Sequence, residues 1–310
     1  MIDLTGRVAI VTGAGRGLGR SHALALARAG ATVVVNDLGG SLSGEGVDVG
    51  PAQEVVAEIE AAGGTAIANG ENVADFAGAG RLVQMAIDEF GRLDILVNNA
   101  GILRDRMLVN MSEQEWDAVV NVHLKGHFAP TRHAAGYWRE RSKAGEEVRG
   151  RVINTSSPSG VFGNVGQTNY GAAKAGIAAL TIIAAQELAR YGVTVNCLAP
   201  NGRTRMTEET FDMGPAPDGF DPLDPANVSL VVVALCADRA DGITGQVVHV
   251  WGGAVNVLRG WGPGELLDRS DGWAAGDLLD ELVRRFPEGV APEGMTAGME
   301  AAGGRGLGLA

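Results

Sequence analysis

The fold of this chain is decided by residues 7–30, which read RVAIVTGAGRGLGRSHALALARAG. The first part, RVAIVTG, is a short apolar run that predicts a buried strand, and RSHALALARAG predicts a helix that ends at Gly30. Between them lie glycines at positions 13, 15, 17 and 19. Glycine lets the backbone turn sharply and approach a ligand closely. The segment therefore predicts a strand, a glycine loop and a helix in that order.

The alternation of strands and helices continues along the chain. Further strands are predicted by the runs ATVVVND, TAIANGENV, RLDILVNNAG, GRVINTSS, GVTVNCLAP and GQVVHVWGG. Strands that are apolar throughout and joined by helices are typical of a parallel sheet covered on both faces. We predict an α/β protein with a doubly wound parallel sheet of the Rossmann type. Its single domain covers residues 1–255, and residues 256–310 form a C-terminal extension, partly helical (AAGDLLDELVRRF) and then Gly-rich.

The composition is that of a globular protein with excess negative charge. Of 310 residues, 45% are hydrophobic and 20% charged, which favours a packed core over disorder. The formal charge of −12 argues against nucleic acid or an anionic membrane as a partner. Cys197 and Cys236 lie singly in apolar runs, which indicates buried free thiols in a reducing compartment. We find no signal-peptide pattern and no stretch long enough to span a bilayer, and we predict a cytoplasmic protein.

Three other features have a bearing on the site. Residues 39–50, GGSLSGEGVDVG, predict a surface loop after the second strand, and residues 201–226, with four prolines, predict a mobile lid. His123 and His127 are four residues apart on a predicted helix, a spacing that can bind zinc. The residue after His123 is Leu124 rather than Glu, and no third ligand is evident, so we predict no metal site.

The glycine loop predicts a dinucleotide site. A pyrophosphate fits where the backbone of such a loop meets the N-terminus of a helix. Asp37 closes the second strand, 18 residues beyond Gly19. A carboxylate there accepts hydrogen bonds from the adenosine ribose and repels a 2′-phosphate, which favours NAD over NADP. Arg16 is the counter-argument, because a cation in the loop can bind that phosphate, and its alternative interpretation is a solvated loop residue.

A second group of residues predicts acid–base chemistry. Tyr170 and Lys174 are four apart in NYGAAKAGIAAL, so they share one face of a predicted helix. A nearby ammonium stabilises a phenolate and lowers the pKa of the phenol, which makes tyrosine a workable proton donor and acceptor. Ser157 lies thirteen residues before Tyr170, just after a predicted strand, where its hydroxyl can hold a substrate carbonyl oxygen.

Together, TGAGRGLG, NNAG at 98–101, Ser157 and YGAAK at 170–174 resemble the short-chain dehydrogenase/reductase family over residues 1 to about 255. The resemblance implies that Tyr170 is the general acid/base and that Ser157 orients the carbonyl. It implies that Lys174 binds the nicotinamide ribose and lowers the pKa of Tyr170. Asn121, in VVNVHLKG, matches the asparagine that supports a proton relay behind the lysine.

The resemblance also implies a set of residues that bind the cofactor. They are Gly13, Gly15, Arg16, Gly17, Leu18, Gly19, Asp37, Asn72, Val73, Asn98, Ala100, Gly101, Tyr170, Lys174 and Thr204. Asn98 either lies on the adenosine side or supports the sheet only. Asn72 stands where the family often has Asp, so an amide would make the adenine contact. After Pro200 the usual spacing to a threonine is changed, which leaves Thr204 the least constrained of the set.

Within the family, the runs VVVNDLGG, WDAVVNVHLKG and APNGRTRMT look similar to the (3R)-hydroxyacyl-CoA dehydrogenase unit of the peroxisomal multifunctional enzyme and its bacterial acyl-CoA and steroid relatives. The implied reaction is hydride transfer between C3 of a 3-hydroxyacyl-CoA and NAD. Four arginines in loops after predicted strands either clamp CoA phosphates or form ordinary surface ion pairs. They are Arg104, Arg106, Arg203 and Arg205.

Several alternatives share the scaffold. A 17β-hydroxysteroid dehydrogenase is not separable by sequence, and a 3-oxoacyl-carrier-protein reductase would be expected to prefer NADPH, against which Asp37 argues. A non-catalytic cofactor-binding protein is disfavoured because Ser157, Tyr170 and Lys174 are all present. The resemblance also implies assembly as a homodimer or homotetramer.

Overall fold

The computed structural model describes residues 2–41, 43–204, 207, 214–260, 266–270, 272–285 and 294–301. Its centre is a single sheet with these strands: β1 (Val8–Thr12), β2 (Thr32–Asn36), β3 (Ala66–Asn69), β4 (Ile95–Asn98), β5 (Gly150–Thr155), β6 (Val193–Pro200), β7 (Val247–Trp251) and β8 (Ala254–Leu258). The spatial order is β3-β2-β1-β4-β5-β6-β7-β8. Neighbouring strands pair in parallel from β3 to β7, and β8 returns antiparallel to β7. The predicted doubly wound fold is confirmed.

Helices cover both faces of the sheet. They are α1 (Gly17–Arg28), α2 (Gly50–Ala61), α3 (Phe76–Phe90), α4 (Glu113–Val120), α5 (Gly126–Lys143), α6 (Pro158–Phe162), α7 (Thr168–Leu188), α8 (Pro225–Cys236), α9 (Ala275–Arg285) and α10 (Gly294–Ala301). Apolar side chains of α1, α2 and α8 form one core with one face of the sheet. Those of α3, α5 and α7 form a second core with the opposite face.

The buried strands explain why the chain adopts this architecture. All five residues of β1 are buried, and successive side chains enter opposite cores, Ala9 and Val11 on one side and Val8 and Ile10 on the other. A strand that is buried on both faces needs helices on both faces. The chain reverses its direction of travel across the sheet between β3 and β4, and β1 lies between β2 and β4. At such a switch point a crevice opens at the carboxyl ends of the strands.

The C-terminal part differs in detail from the prediction. The helix predicted from AAGDLLDELVRRF is present as α9. Strand β8 crosses the domain boundary expected at residue 255, because its backbone continues the sheet as an edge strand. Part of the predicted lid, 205–206 and 208–213, lies outside the described residues, as does the Gly-rich end at 302–310.

Among the residues that the structure describes, one segment is long and apolar enough to cross a membrane, contrary to the expectation that none would be. It is Thr168–Tyr191, with a mean hydropathy of 1.3. The physical reason for this composition is its place in the fold, since α7 makes up most of the segment and packs its apolar residues Ala184, Ala185 and Leu188 in the second core. A core helix passes the same test of length and composition. Both cysteines are buried free thiols, as predicted.

Candidate active site

A cavity of about 370 Å³ opens at the carboxyl ends of the central strands. Its walls bring together the loop after β1, the ends of β2, β4 and β5, helix α7 and the segment after β6. Residues from both predicted groups line it: Gly13 and Asp37 of the dinucleotide site, and the Ser157, Tyr170 and Lys174 set. The sheet topology therefore joins the predicted dinucleotide site and the predicted acid–base residues in one cleft.

The glycine loop is shaped for close approach of a ligand to the backbone. Gly13 has a φ of +63°, which glycine adopts readily and other residues rarely do. Gly19 faces the same turn, and a Cβ atom on it would lie 2.1 Å from the carbonyl oxygen of Gly13. The side-chain amide of Asn99 donates to the carbonyl oxygens of Thr12 and Gly13, each at 3.1 Å. These two hydrogen bonds hold the start of the loop against the end of β4.

Helix α1 starts directly after this loop. Its N-cap residue, Arg16, makes no side-chain hydrogen bond to the first turn, and Arg16, Gly17 and Leu18 line the cavity. The N–H groups and the dipole of a helix N-terminus attract phosphate. The residues present therefore fit the pyrophosphate of a dinucleotide, as the sequence predicted.

Asp37 is held in one position by backbone amides. Its Oδ2 accepts a hydrogen bond from the amide of Gly15 at 2.7 Å, and its Oδ1 accepts one from the amide of Gly39 at 2.6 Å. The side chain lines the cavity at the end of β2. These two hydrogen bonds orient the carboxylate towards this end of the cleft.

Ser157, Tyr170 and Lys174 meet in the middle of the cleft. Ser157 follows β5 and is the N-cap of α6, whereas Tyr170 and Lys174 lie one turn apart on α7. The three residues are buried, with exposed fractions of 8%, 9% and 2%. The Lys174 Nζ lies 5.5 Å from the centroid of the Tyr170 ring and donates a hydrogen bond to the carbonyl oxygen of Thr155 at 2.6 Å. The predicted acid–base residues are thus brought together.

The protonation of these groups is controlled by burial. Burial raises the pKa of Tyr170 to about 12, although a hydrogen bond from Ser157 opposes this, and the charge of Asp105 adds to it. Burial also lowers the pKa of Lys174 to about 7. The net shift of the Tyr170 pKa is therefore upward, because desolvation disfavours the phenolate, and the lowering by Lys174 that the family resemblance implies stays a prediction.

Asn121 does not reach the site, and His123 takes the place expected for it. Residues Asn121–Lys125 form a π-helical turn between α4 and α5, with Asn121 exposed and His123 buried. The His123 ring meets the Tyr170 ring edge-on with centroids 5.1 Å apart, and its Nε2 lies 2.8 Å from the carbonyl oxygen of Ile102. Burial lowers the pKa of His123 well below its usual value, so the ring is neutral. His123 lies four residues after the buried Val119, so the two share one face of a helix. This spacing is the sequence signal that could have predicted the burial of His123.

The remaining cofactor candidates divide into two groups. Those that line the cavity, in addition to the residues named above, are Asn72, Val73, Ala100, Gly101 and Thr204. Asn98 does not line it: the residue is fully buried, and its amide donates to Thr131 Oγ1 and Asn154 Oδ1, each at 2.9 Å. Of the two alternatives for Asn98, the geometry matches sheet support. Gly15 and Gly19 act through the shape of the loop.

The predicted substrate arginines are engaged elsewhere. Arg104 donates to the carbonyl oxygen of Ser43 and lies 3.9 Å from Glu45, both in the 39–50 loop. The Arg106 Nε lies 3.1 Å from Glu115, and the Arg203 Nε lies 3.2 Å from Asp221. None of these three lines the cavity, and Arg205 lies outside the described residues. The geometry matches ion pairs within the protein rather than a phosphate clamp, and of these pairs the one between Arg203 and Asp221 is largely buried.

Residues that the sequence did not single out complete the substrate side. Gln167 is buried, donates to Asp105 Oδ2 at 2.7 Å and accepts from Ser159 Oγ at 2.7 Å. Met295 and Met299 of α10 also line the cavity. Gln167 lies three residues before Tyr170, just ahead of the segment NYGAAKAGIAAL, and no local pattern marks the methionines.

Within the described part of the chain, no group of three or more histidine, cysteine, aspartate or glutamate side chains is placed to hold a metal ion. His123 and His127 instead bond the backbone, at Ile102 and at the amide of Thr155. The geometry offers the pair no third ligand among these residues.

Comparison with known proteins identifies the family of this chain. Residues 7–214 match the sequence profile of the family described as short chain dehydrogenase. The chain is 50% identical over 262 residues to hydroxyacyl-CoA dehydrogenase ChsB1 of Mycobacterium tuberculosis, covering 83% of this chain and 80% of that protein. It is 46% identical to the peroxisomal multifunctional enzyme type 2 of Drosophila melanogaster over 83% of this chain but only 41% of that longer protein.

A solved structure gives the same result. The crystal structure of a short chain dehydrogenase from Mycobacterium avium superposes with a TM-score of 0.84 at 53% identity, covering 94% of this chain and 98% of that one. The structural match covers the fold, and the family match over residues 7–214 spans the glycine loop and the positions of Ser157, Tyr170 and Lys174. This chain is a member of the short-chain dehydrogenase/reductase family of oxidoreductases.

Proposed function

We propose that this protein is an NAD-dependent dehydrogenase that interconverts a 3-hydroxyacyl-CoA and the corresponding 3-oxoacyl-CoA. The observation that carries the proposal is the meeting of Ser157, Tyr170 and Lys174 in the same cleft as the glycine loop. The substrate class is supported by the printed names of two similar proteins, a hydroxyacyl-CoA dehydrogenase and a peroxisomal multifunctional enzyme. The choice of NAD is supported by Asp37.

The reaction needs a hydride acceptor and a proton acceptor. When it is bound, a nicotinamide cofactor held by the glycine loop and Asp37 supplies the hydride chemistry. Ser157 holds the substrate oxygen by a hydrogen bond from its hydroxyl. The phenolic oxygen of Tyr170 takes the alcohol proton during oxidation and returns a proton to the carbonyl oxygen during reduction.

The protonation of Tyr170 gives the two directions different pH dependence. With its pKa raised to about 12, the phenol is protonated at neutral pH, which is the form that donates a proton in reduction. Oxidation needs the phenolate, whose population rises with pH. We therefore expect the oxidation rate to rise with pH through the neutral and alkaline range, while reduction does not rise in this way.

The preference for NAD follows from the fixed charge at the end of β2. Two amide hydrogen bonds hold the Asp37 carboxylate against the glycine loop. A second negative group on the 2′ position of the ribose would be placed beside it and repelled. Arg16 is exposed, so its positive charge is largely screened by solvent.

The experiment that tests the function is a measurement of NADH formation with 3-hydroxyacyl-CoA substrates. A 17β-hydroxysteroid and NADP⁺ are assayed under the same conditions. We expect fast turnover of the thioester with NAD⁺. Turnover of the steroid alone would retain the catalytic residues but contradict the substrate class, and equal rates with NADP⁺ would contradict the cofactor preference.

We also propose that the chain forms a cytoplasmic homodimer or homotetramer. Large apolar side chains are exposed on two long helices, Phe128 on α5 and Ile182 and Ile183 on α7. Exposed apolar patches of this kind are typical of surfaces that another subunit covers. Light scattering coupled to size-exclusion chromatography gives the mass in solution, and a monomer at micromolar concentration would contradict this proposal.

A further inference from the structure

The C-terminal extension returns to the catalytic cleft as helix α10. This helix packs against α6, the short helix that follows Ser157. The approach is close at Gly298, where a Cβ atom would lie 2.4 Å from the Cγ atom of Phe162. A side chain at position 298 would therefore force the two helices apart. Glycine at this position is what lets α10 lie directly beside the catalytic serine's helix.

Two methionines of α10 face the cavity. Met295 and Met299 are one helical turn apart, and both line the same cavity as Ser157 and Tyr170. Met299 is only 4% exposed, and its Sδ lies 3.3 Å from the Asn201 Nδ2. The Sδ of Met295 lies 3.5 Å from the Ser159 Oγ. The helix therefore forms a wall of the cleft beside Ser159 and Asn201.

The chemistry of this wall points to an apolar ligand group. Methionine is unbranched and polarisable, so it fits apolar groups of varied shape. Neither methionine carries a charge that would bind the phosphates of CoA. Gln167 lies on the same side, because the Ser159 hydroxyl that contacts Met295 also donates to Gln167, whose amide donates to Asp105. A substrate whose oxygen lies at Ser157 and Tyr170 would thus meet the methionine wall next to a fixed polar side chain.

On these grounds we infer that α10 sets substrate specificity: Met295 and Met299 bind the apolar acyl group attached to the reacting carbon of the substrate. This inference rests on the proposed function for the identity of the substrate, and it assigns a task to the C-terminal extension. The methionines are specificity residues rather than catalytic ones, because they hold no proton and bond no reacting atom. Their effect should depend on the length of the acyl chain.

The test compares kcat/KM across 3-hydroxyacyl-CoA substrates from hydroxybutyryl to hydroxypalmitoyl. For Met299→Ala we expect kcat/KM to fall about tenfold for the long chains and less than about twofold for the shortest, because a lost apolar contact has about this effect on discrimination. Met295→Trp narrows the cleft and should move the optimum towards short chains. The KM for NAD⁺ should not change in either variant.

Two further variants separate specificity from folding. Leu279→Ala removes an exposed side chain of α9 in the same extension and should leave the whole profile unchanged. Gly298→Val should displace α10 from Phe162 and reproduce the long-chain loss while the fold, followed by circular dichroism, and NAD⁺ binding are retained. The inference is overturned if, within each of the variants Met299→Ala and Gly298→Val, kcat/KM falls by a factor that does not depend on the acyl chain length.

A binding measurement keeps this test independent of the proposed function. If the wild type turns over none of the thioesters, the proposed function fails, whatever the variants do. Tryptophan fluorescence of Met295→Trp is then titrated with butyryl-CoA, since the narrowed cleft of this variant is expected to admit short acyl chains, with Leu279→Trp as the matched control. A saturable change in Met295→Trp alone supports the methionine wall, and equal or absent changes in both variants overturn it.

Discussion

The two ends of the cleft are built in different ways. At the cofactor end, Asp37 is bonded to the amides of Gly15 and Gly39, and Gly13 and Gly19 touch through the backbone. At the substrate end, the contacts join segments far apart in sequence, as where Ser159 meets Met295, 136 residues away. The first end consists largely of main-chain atoms in the loops that follow β1 and β2. The second consists largely of side chains on a helix near the C-terminus.

This difference has a physical basis. A pyrophosphate is recognised by backbone N–H groups and a helix dipole, which do not depend on the type of side chain. The sequence must only place glycines where the backbone has to approach the ligand closely. An acyl group offers no hydrogen bonds, so it is recognised by the shape of apolar side chains. The cofactor end should therefore respond to backbone changes and the substrate end to side-chain size. The residues between the two ends, Ser157, Tyr170 and Lys174, should affect the chemical step itself.

The largest effect is expected at the centre. Tyr170→Phe removes only the phenolic hydroxyl, so kcat should fall about 10²- to 10⁴-fold, the usual contribution of a positioned acid–base group. The Kd for NADH, measured by fluorescence titration, should change less than about threefold. As a matched control, Tyr137→Phe removes a hydroxyl that bonds Arg141 away from the cleft and should leave kcat unchanged. Residual activity of Tyr170→Phe above a tenth of wild type would mean that another group carries the proton.

The second-largest effect is expected on NADH affinity when the backbone of the glycine loop is changed at Gly19. In Gly19→Ala the added methyl would lie 2.1 Å from the carbonyl oxygen of Gly13, so the loop must open. We expect the Kd for NADH to rise about tenfold or more, with the free energy of unfolding reduced by about 1–3 kcal/mol. Gly276→Ala, on α9, adds a methyl that meets nothing within 4 Å and should stabilise slightly. Equal NADH affinity in both variants would contradict the close-approach argument.

The same contrast explains which parts of the molecule could be predicted from the sequence. The sheet, the glycine loop and the position of Asp37 follow from periodicity and spacing within about 30 residues. Tyr170 and Lys174 follow from their separation on one helix. These features depend on local geometry, which a sequence displays directly.

The features that were missed depend on irregular or distant structure. Asn121 was expected in the site, but the π-helical turn at Asn121–Lys125 leaves it exposed and buries His123 instead. A regular helical period cannot predict such a turn. Met295 and Met299 reach the cleft from a segment that carries no motif. The pKa of Tyr170 was expected to fall, but burial of the phenol raises it. The spacing of residues along the chain does not show how deeply a side chain is buried.

A smaller effect should follow from the fixed charge of Asp37. In Asp37→Asn the side chain keeps its size but loses the negative charge, so the ratio of kcat/KM for NAD⁺ to that for NADP⁺ should fall about tenfold. Asp48→Asn is the matched control, because Asp48 caps the amide of Gly50 in the same loop and does not line the cavity. An unchanged ratio in Asp37→Asn would show that Arg16 or the shape of the loop, rather than the carboxylate, decides the preference.

The smallest effect is expected on the pH dependence of the unfolding free energy, to which the buried Lys174 between the two ends of the cleft contributes. Burial lowers the pKa of Lys174 from 10.5 to about 7. Between these values the unfolded chain binds more protons than the folded protein, so the free energy of unfolding should increase as the pH rises from about 7 towards 10. Below about pH 7 both states are protonated and this contribution is flat. The rise in Tyr170 pKa acts only above about pH 10, with the opposite sign.

Lys174→Met removes this titration, so the increase in unfolding free energy between about pH 7 and pH 10 should be smaller than in wild type. It also removes a buried ammonium, so the variant should be relatively most stable near pH 6, although it is catalytically impaired. Lys125→Met replaces an exposed lysine on the π-helical turn and should preserve the wild-type pH dependence. Urea unfolding across this pH range measures the effect. Parallel curves for wild type and Lys174→Met would mean that the buried lysine keeps its charge through stronger contacts than its bond to Thr155, and that the centre is as polar as the cofactor end.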